Sequence, residues 1–201
     1  RMFGNSLPKS EVENNGIGPF LEIGRDGRQP GLLYPTKTFS DKIKFEISGV
    51  KVELFHAPGE TNDQLFVWLP EKKALFPGDN FYKTFPNLYT IRGTPYRDLA
   101  GWVNSIDMMR YLQPEFLIPS HTRPLVGQDN INKILTTYRD GIQFVHDQTV
   151  RLMNLGLGPN DIAETLVLPK HLGDSPYLKE FYGSPEWLSL IHISEPTRPY
   201  W

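Results

Sequence analysis

The chain has 201 residues, 39% of them hydrophobic, which suits one packed domain, or one with part of another, and excludes a disordered chain. A formal charge of −2 leaves no bulk basic field for nucleic acid or an anionic membrane surface. The absence of cysteine excludes disulfides and thiolate metal sites, so any metal must sit on His, Asp and Glu, a set suited to zinc and other borderline or hard divalent ions. No apolar run reaches transmembrane length. The opening RMFGNSLPKS shows no apolar signal segment, but a residue precedes Met2, so the compartment stays open.

In chain order, residues 4–37 are rich in Gly, Pro and Asn and read as loop with short extended pieces. KIKFEISGVKVELFHAPG alternates Ile43, Phe45 and Ile47, then Val50, Val52 and Leu54; a period of two broken at Ser48-Gly49 predicts a hairpin. DQLFVWLP is more continuously apolar, as expected of a strand buried on both faces. A polar turn at Glu71-Lys72-Lys73 then leads into a return strand, ALFPGD. Leu99, Trp102, Val103, Ile106 and Met109 fall on one helical stripe, and EFLIP reads as a short buried strand. Ile131, Ile134, Leu135, Tyr138, Ile142, Val145, Thr149 and Leu152 mark a long helix stopped by Gly156 and Gly158-Pro159. Strands early and βα alternation later predict a layered α/β domain. A composition shift after Gly158 predicts a helical module beginning near Pro159, and no internal repeat is present.

Three possible metal ligands share one circumstance. Glu60 follows the strand ending near Phe55, Asp79 follows ALFPG, and His121 follows EFLIPS. Strand ends on one edge of an α/β sheet are where functional groups gather. Taken singly, each has a plainer reading: Glu60 as a solvated turn carboxylate, Asp79 as a turn former, His121 as a strand-end cap. His56 precedes Ala-Pro-Gly and is expected to be structural, while His146 and His171 read as ordinary polar residues. Phe81, Phe85, Tyr89 and Tyr96 fit either an apolar entrance or, as aromatics at this density usually do, the core.

In combination the motifs become specific. PGETNDQLFVWLPEKKALFPGD resembles the middle of the metallo-β-lactamase superfamily, whose usual form is a PGHT turn, a hairpin and then GD. Glu in place of that His resembles one branch, the linear alkylsulfatases that hydrolyse dodecyl sulfate and similar esters. FPNLYTIRGTPYRD, PSHTRPLVG and YRDGIQFVHDQTVRLMN resemble the same branch, and PNDIAETLVLPKHLGDSPYLKEFYGSPEW resembles the start of its dimerisation domain. The resemblance runs from about Arg1 to Trp187. It implies the C-terminal part of an αβ/βα sandwich over residues 1–158 and the start of a helical dimerisation domain over 159–187.

It also implies two zinc ions, with Glu60 on one, Asp79 bridging both and His121 on the other. Family members often carry Glu at the bridging position, so Asp79 is a conservative departure. Asn87 and Arg92 match positions expected to hold the sulfate; Arg suits the task, being always charged with planar paired donors. A small sulfate ester as substrate and a homodimer when intact follow from the same resemblance. The alternatives are another hydrolase of the superfamily, acting on thioesters, lactones or lactams, and a non-catalytic homologue kept for binding or dimerisation.

One departure is severe. The family's H-x-H-x-D-H motif, which supplies the remaining ligands, would lie upstream of Arg1. Three ligands cannot complete two zinc shells, so this chain by itself is expected to be inactive and its intact parent active; no catalytic residue is assigned within it. Finally, LSLIHISEPTR, Leu188 to Arg198, reads as the translation of a transposon-end sequencing adapter, with a short strand LIHI as the protein alternative. Residues 188–201 are therefore set aside, and His192 has no role. Genuine sequence is expected to stop near Trp187, with the gene cut at both ends.

Overall fold

The computed structural model describes residues 10, 33–88 and 97–186. Arg92, Tyr89, Tyr96, Trp187 and the adapter-like tail lie outside the described residues. The chain divides into two compact units, residues 1–38 with 90–95, and residues 39–89 with 96–201; every element below belongs to the second.

Among the described residues, six strands form one sheet in sequential order: β1 (Lys42–Ile47), β2 (Val50–His56), β3 (Leu65–Leu69), β4 (Ala74–Phe76), β5 (Phe116–Leu117) and β6 (Leu125–Val126). The expected hairpin pairs Ile43 with Leu54, Phe45 with Val52 and Ile47 with Val50. Its two-residue turn has both central residues at positive φ, Ser48 at 50° and Gly49 at 79°, the sense that matches the right-handed twist of the flanking strands. β3 differs from expectation. Phe66 and Trp68 are buried, but Leu65, Val67 and Leu69 are only half-buried, so the strand has one core face and one partly covered face. The apolar run hid this alternation because both faces carry apolar residues.

β4 and β5 pair in parallel, Ala74 beside Phe116 and Leu75 beside Leu117, and the crossover between them contains helix α1 (Leu99–Tyr111). The long helix α2 (Gln128–Asn154) packs against α1. All five residues of the α1 stripe and all eight of the α2 stripe are buried, as their spacing predicts. All of them except Thr149 and Leu152 join Phe66, Trp68, Leu75 and Leu117 of the sheet in one core cluster, giving a layer of helices against a mixed sheet.

Helices α3 (Pro159–Thr165) and α4 (Lys170–Gly173) follow. Leu166, Leu172 and Leu178 belong to the same core cluster. The chain after α4 returns to the segment that follows Asp79. Lys179 accepts hydrogen bonds at its carbonyl from Phe85 N–H (2.8 Å) and Thr84 Oγ1 (2.6 Å). No described helix is long and apolar enough to cross a membrane.

Candidate metal centre

Sheet topology explains how distant residues share one edge. β2 runs antiparallel to β3 and β3 antiparallel to β4, so two reversals leave β2 and β4 pointing the same way; β5 is parallel to β4. The C-terminal ends of β2, β4 and β5 therefore lie along one edge. Glu60, Asp79 and His121 each follow one of those ends by three or four residues.

The Glu60 turn is held from several sides. His56 Nε2 meets the Asn62 carbonyl at 2.8 Å, Thr61 Oγ1 donates to Asp63 at 2.7 Å, and Ser105 Oγ of α1 donates to the Pro58 carbonyl at 2.7 Å. Asn80 is fully buried and spans the two ligand turns. Its Nδ2 donates to the Ala57 carbonyl (2.7 Å), its Oδ1 accepts from Glu60 N–H (3.0 Å), and its carbonyl accepts from Trp102 Nε1 (3.0 Å). Gly59 makes this approach possible, since a Cβ there would lie 2.2 Å from Asn80 Oδ1. Gly78, at φ 59°, turns the chain out of β4 into the short 3-10 turn Gly78–Asn80 that presents Asp79.

Asp79 and His121 face each other, with His121 Nε2 3.5 Å from Asp79 Oδ1. That separation is too long for a good hydrogen bond, and Oδ1 is buried without a hydrogen-bond partner. A buried acceptor left unmatched is costly unless something else engages it. His121 itself is exposed.

Glu60 is differently placed. Its carboxylate is largely buried and pairs through Oε1 with the buried guanidinium of Arg97, while Tyr82 Oη lies 3.4 Å from Oε2, a long contact. Burial pushes the Glu60 carboxyl above its ordinary value; Arg97 opposes that rise, and the nearby Asp79 carboxylate adds to it. Burial likewise raises Tyr82, which stays a neutral hydroxyl. Asn87 bears on both braces through its main chain. Arg97 donates to its carbonyl, and its N–H donates to Tyr82 Oη at 3.0 Å.

The structure thus brings Asp79 to His121 and turns Glu60 toward Arg97. Among the described residues, no three His, Asp or Glu side chains converge closely enough to hold an ion. The His121 imidazole facing the unmatched buried oxygen of Asp79 is a donor pair that fits a divalent ion. As a set they are too few to close two coordination shells. Arg92 lies outside the described residues. Phe81 and Phe85 are core residues, and Phe81 packs edge-on against Tyr138 with ring centroids 5.0 Å apart. Sequence reasoning missed Asn80, Tyr82 and Arg97. Asn80 and Arg97 adjoin motif residues, but nothing in their local spacing signals contact with a turn some 20 or 37 positions earlier.

A model of the metallo-beta-lactamase superfamily matches residues 10–121. The chain belongs to that superfamily. Its mixed α/β fold is that of a superfamily whose name implies bound metal. Within it, the chain is 39% identical over 186 residues to a linear primary-alkylsulfatase of Pseudomonas sp. (strain ATCC 19151), covering 90% of this chain and 34% of that protein. It is 34% identical over 158 residues to the alkyl/aryl-sulfatase BDS1 of Saccharomyces cerevisiae, covering 76% of this chain and 24% of that one. The solved structure of the stereoselective inverting sec-alkylsulfatase Pisa1 from Pseudomonas sp. aligns with a TM-score of 0.71 at 28% identity, over 78% of this chain and 25% of that chain. The chain spans 24% to 34% of the length of these relatives.

Proposed function

We propose that this chain is part of an alkylsulfatase that uses two zinc ions to hydrolyse alkyl sulfate esters to alcohol and sulfate. In this reading Glu60, Asp79 and His121 would be the residues of this chain that hold the zinc, and the remaining donors would come from an H-x-H-x-D-H motif outside it. When bound, the zinc pair supplies a water acidic enough to lose its proton near neutral pH. Asn87 and Arg92 hold the sulfate, and the fixed charge of Arg92 offsets the charge that develops as the ester bond breaks. The chain from Pro159 onward begins a helical region through which two copies associate.

The observation that carries the reading is the shared sheet edge, where the buried, unmatched Asp79 Oδ1 faces His121. Similarity to three proteins named as sulfatases supports the choice of sulfate ester over thioester or lactone. The test is a substrate panel on the full-length protein containing this chain. Release of sulfate from dodecyl sulfate, with thioesters and lactones untouched, is expected; the reverse preference contradicts the reading. Arg92→Ala should lower sulfate-ester turnover roughly ten- to a hundredfold, the range for loss of a charged hydrogen bond, with zinc content unchanged. Loss of zinc in that variant would remove Arg92 from the sulfate.

A further inference from the structure

The ring of contacts around Glu60 closes on a single residue. Arg97 holds Glu60 Oε1 and also donates to the Asn87 carbonyl. Tyr82, whose Oη lies 3.4 Å from Glu60 Oε2, accepts the Asn87 N–H. Both oxygens of the carboxylate are therefore approached from the protein interior by side chains that rest on the main chain of Asn87. Arg97 and Tyr82 are both almost wholly buried, so neither is a casual surface partner.

We propose that Arg97 is a positioning residue that fixes the Glu60 carboxylate for the metal and ties it to the Asn87 segment, where the sulfate would be held. The inference rests on the reading of Glu60 as a metal ligand and of Asn87 as a sulfate contact. The chemistry is consistent with a carboxylate serving both partners. Each oxygen has two lone-pair sites, so one can face the guanidinium while another remains for an ion. A planar guanidinium can serve a carboxylate and a carbonyl at once with a fixed angle between its donors; an ammonium is a single compact charge with freely rotating donors. Outer partners of this kind orient ligands, and their removal typically weakens metal binding by tenfold to a hundredfold. A salt bridge that only stabilises the fold would not affect zinc binding through Glu60 in particular.

The test is zinc affinity, measured by chelator competition on the full-length protein, for Glu60→Gln, Arg97→Gln, Arg97→Lys and the Glu60→Gln/Arg97→Gln double variant. Arg97→Gln is expected to weaken one of the two zinc sites by about ten- to a hundredfold. Arg97→Lys should recover part of that loss, and it carries the measurement if the glutamine variant fails to fold. In the double variant, zinc should bind no more weakly than in Glu60→Gln alone, because Arg97 acts through Glu60. The KM for dodecyl sulfate should rise in both Arg97 variants, since the Asn87 carbonyl loses its bond from the Arg97 guanidinium. Wild-type zinc affinity in either folded Arg97 variant, or additive losses in the double variant, would overturn the inference while leaving Glu60 a ligand. Unchanged zinc affinity in Glu60→Gln would overturn the ligand reading itself, and the positioning role with it.

Discussion

Asn80 shows how much of the site depends on a residue that binds nothing. Its side chain supplies one acceptor and one donor to the Glu60 turn, and its place next to Asp79 ties the two ligand turns together. Asn80→Ala leaves Glu60 N–H and the Ala57 carbonyl without their partners inside the protein. At about 1–3 kcal/mol for each of the two orphaned groups, the expected loss is roughly 2–6 kcal/mol in urea denaturation, with zinc affinity falling alongside it. A variant as stable as wild type would mean that water replaces both bonds. Arg97 has the same character at the far side of Glu60. These roles were not legible in the sequence, because each depends on folding that brings together residues 20 or more positions apart. Glu60, Asp79 and His121 could be picked out because each follows a recognisable strand end in an extended motif.

Among the elements, legibility followed the strength of the repeating pattern. The α1 and α2 stripes are long and strictly helical in period, so their buried residues could be named individually from the sequence. The hairpin was readable because Ser48-Gly49 interrupts a clean alternation. β3 was misread on its second face, since an apolar side chain is compatible with full or half burial alike. The β1–β2 hairpin also carries a pH-dependent term. Glu53 of β2 pairs with Lys42 at 2.6 Å and Lys44 at 3.0 Å, and these partners, Lys42 foremost, hold its carboxyl below the ordinary value of 4.5. Because the folded value is the lower one, the stabilisation is complete above the unfolded value and fades as pH falls through the folded value. Glu53→Gln should therefore lose about 0.5 kcal/mol or less at pH 7, after allowance for solvent screening. That difference should vanish in acid unfolding curves below the folded value; a difference that grows in acid would reverse the sign of the argument.

At the scale of the molecule, the segment after α4 completes the core instead of trailing from it. Leu178 is 1% exposed and packs directly over Gly141 in the middle of α2, and the neighbouring Lys179 carbonyl anchors Phe85 and Thr84. The segment after Tyr82 is thus held by chain nearly a hundred positions later. Leu178→Ala should cost about 2–5 kcal/mol by opening a cavity beside α2, read as a drop in denaturation midpoint. A cost under about 1 kcal/mol would show that the segment is only loosely seated there.

On the proposed reading, the edge carrying Glu60, Asp79 and His121 holds zinc for sulfate-ester hydrolysis. The most direct measurement is sulfate release from dodecyl sulfate by the full-length protein, before chelation, after zinc removal and after zinc is restored. Turnover is expected to disappear with the metal and to return with it. Turnover that persists without zinc, or a zinc-loaded protein inert toward sulfate esters, would contradict it.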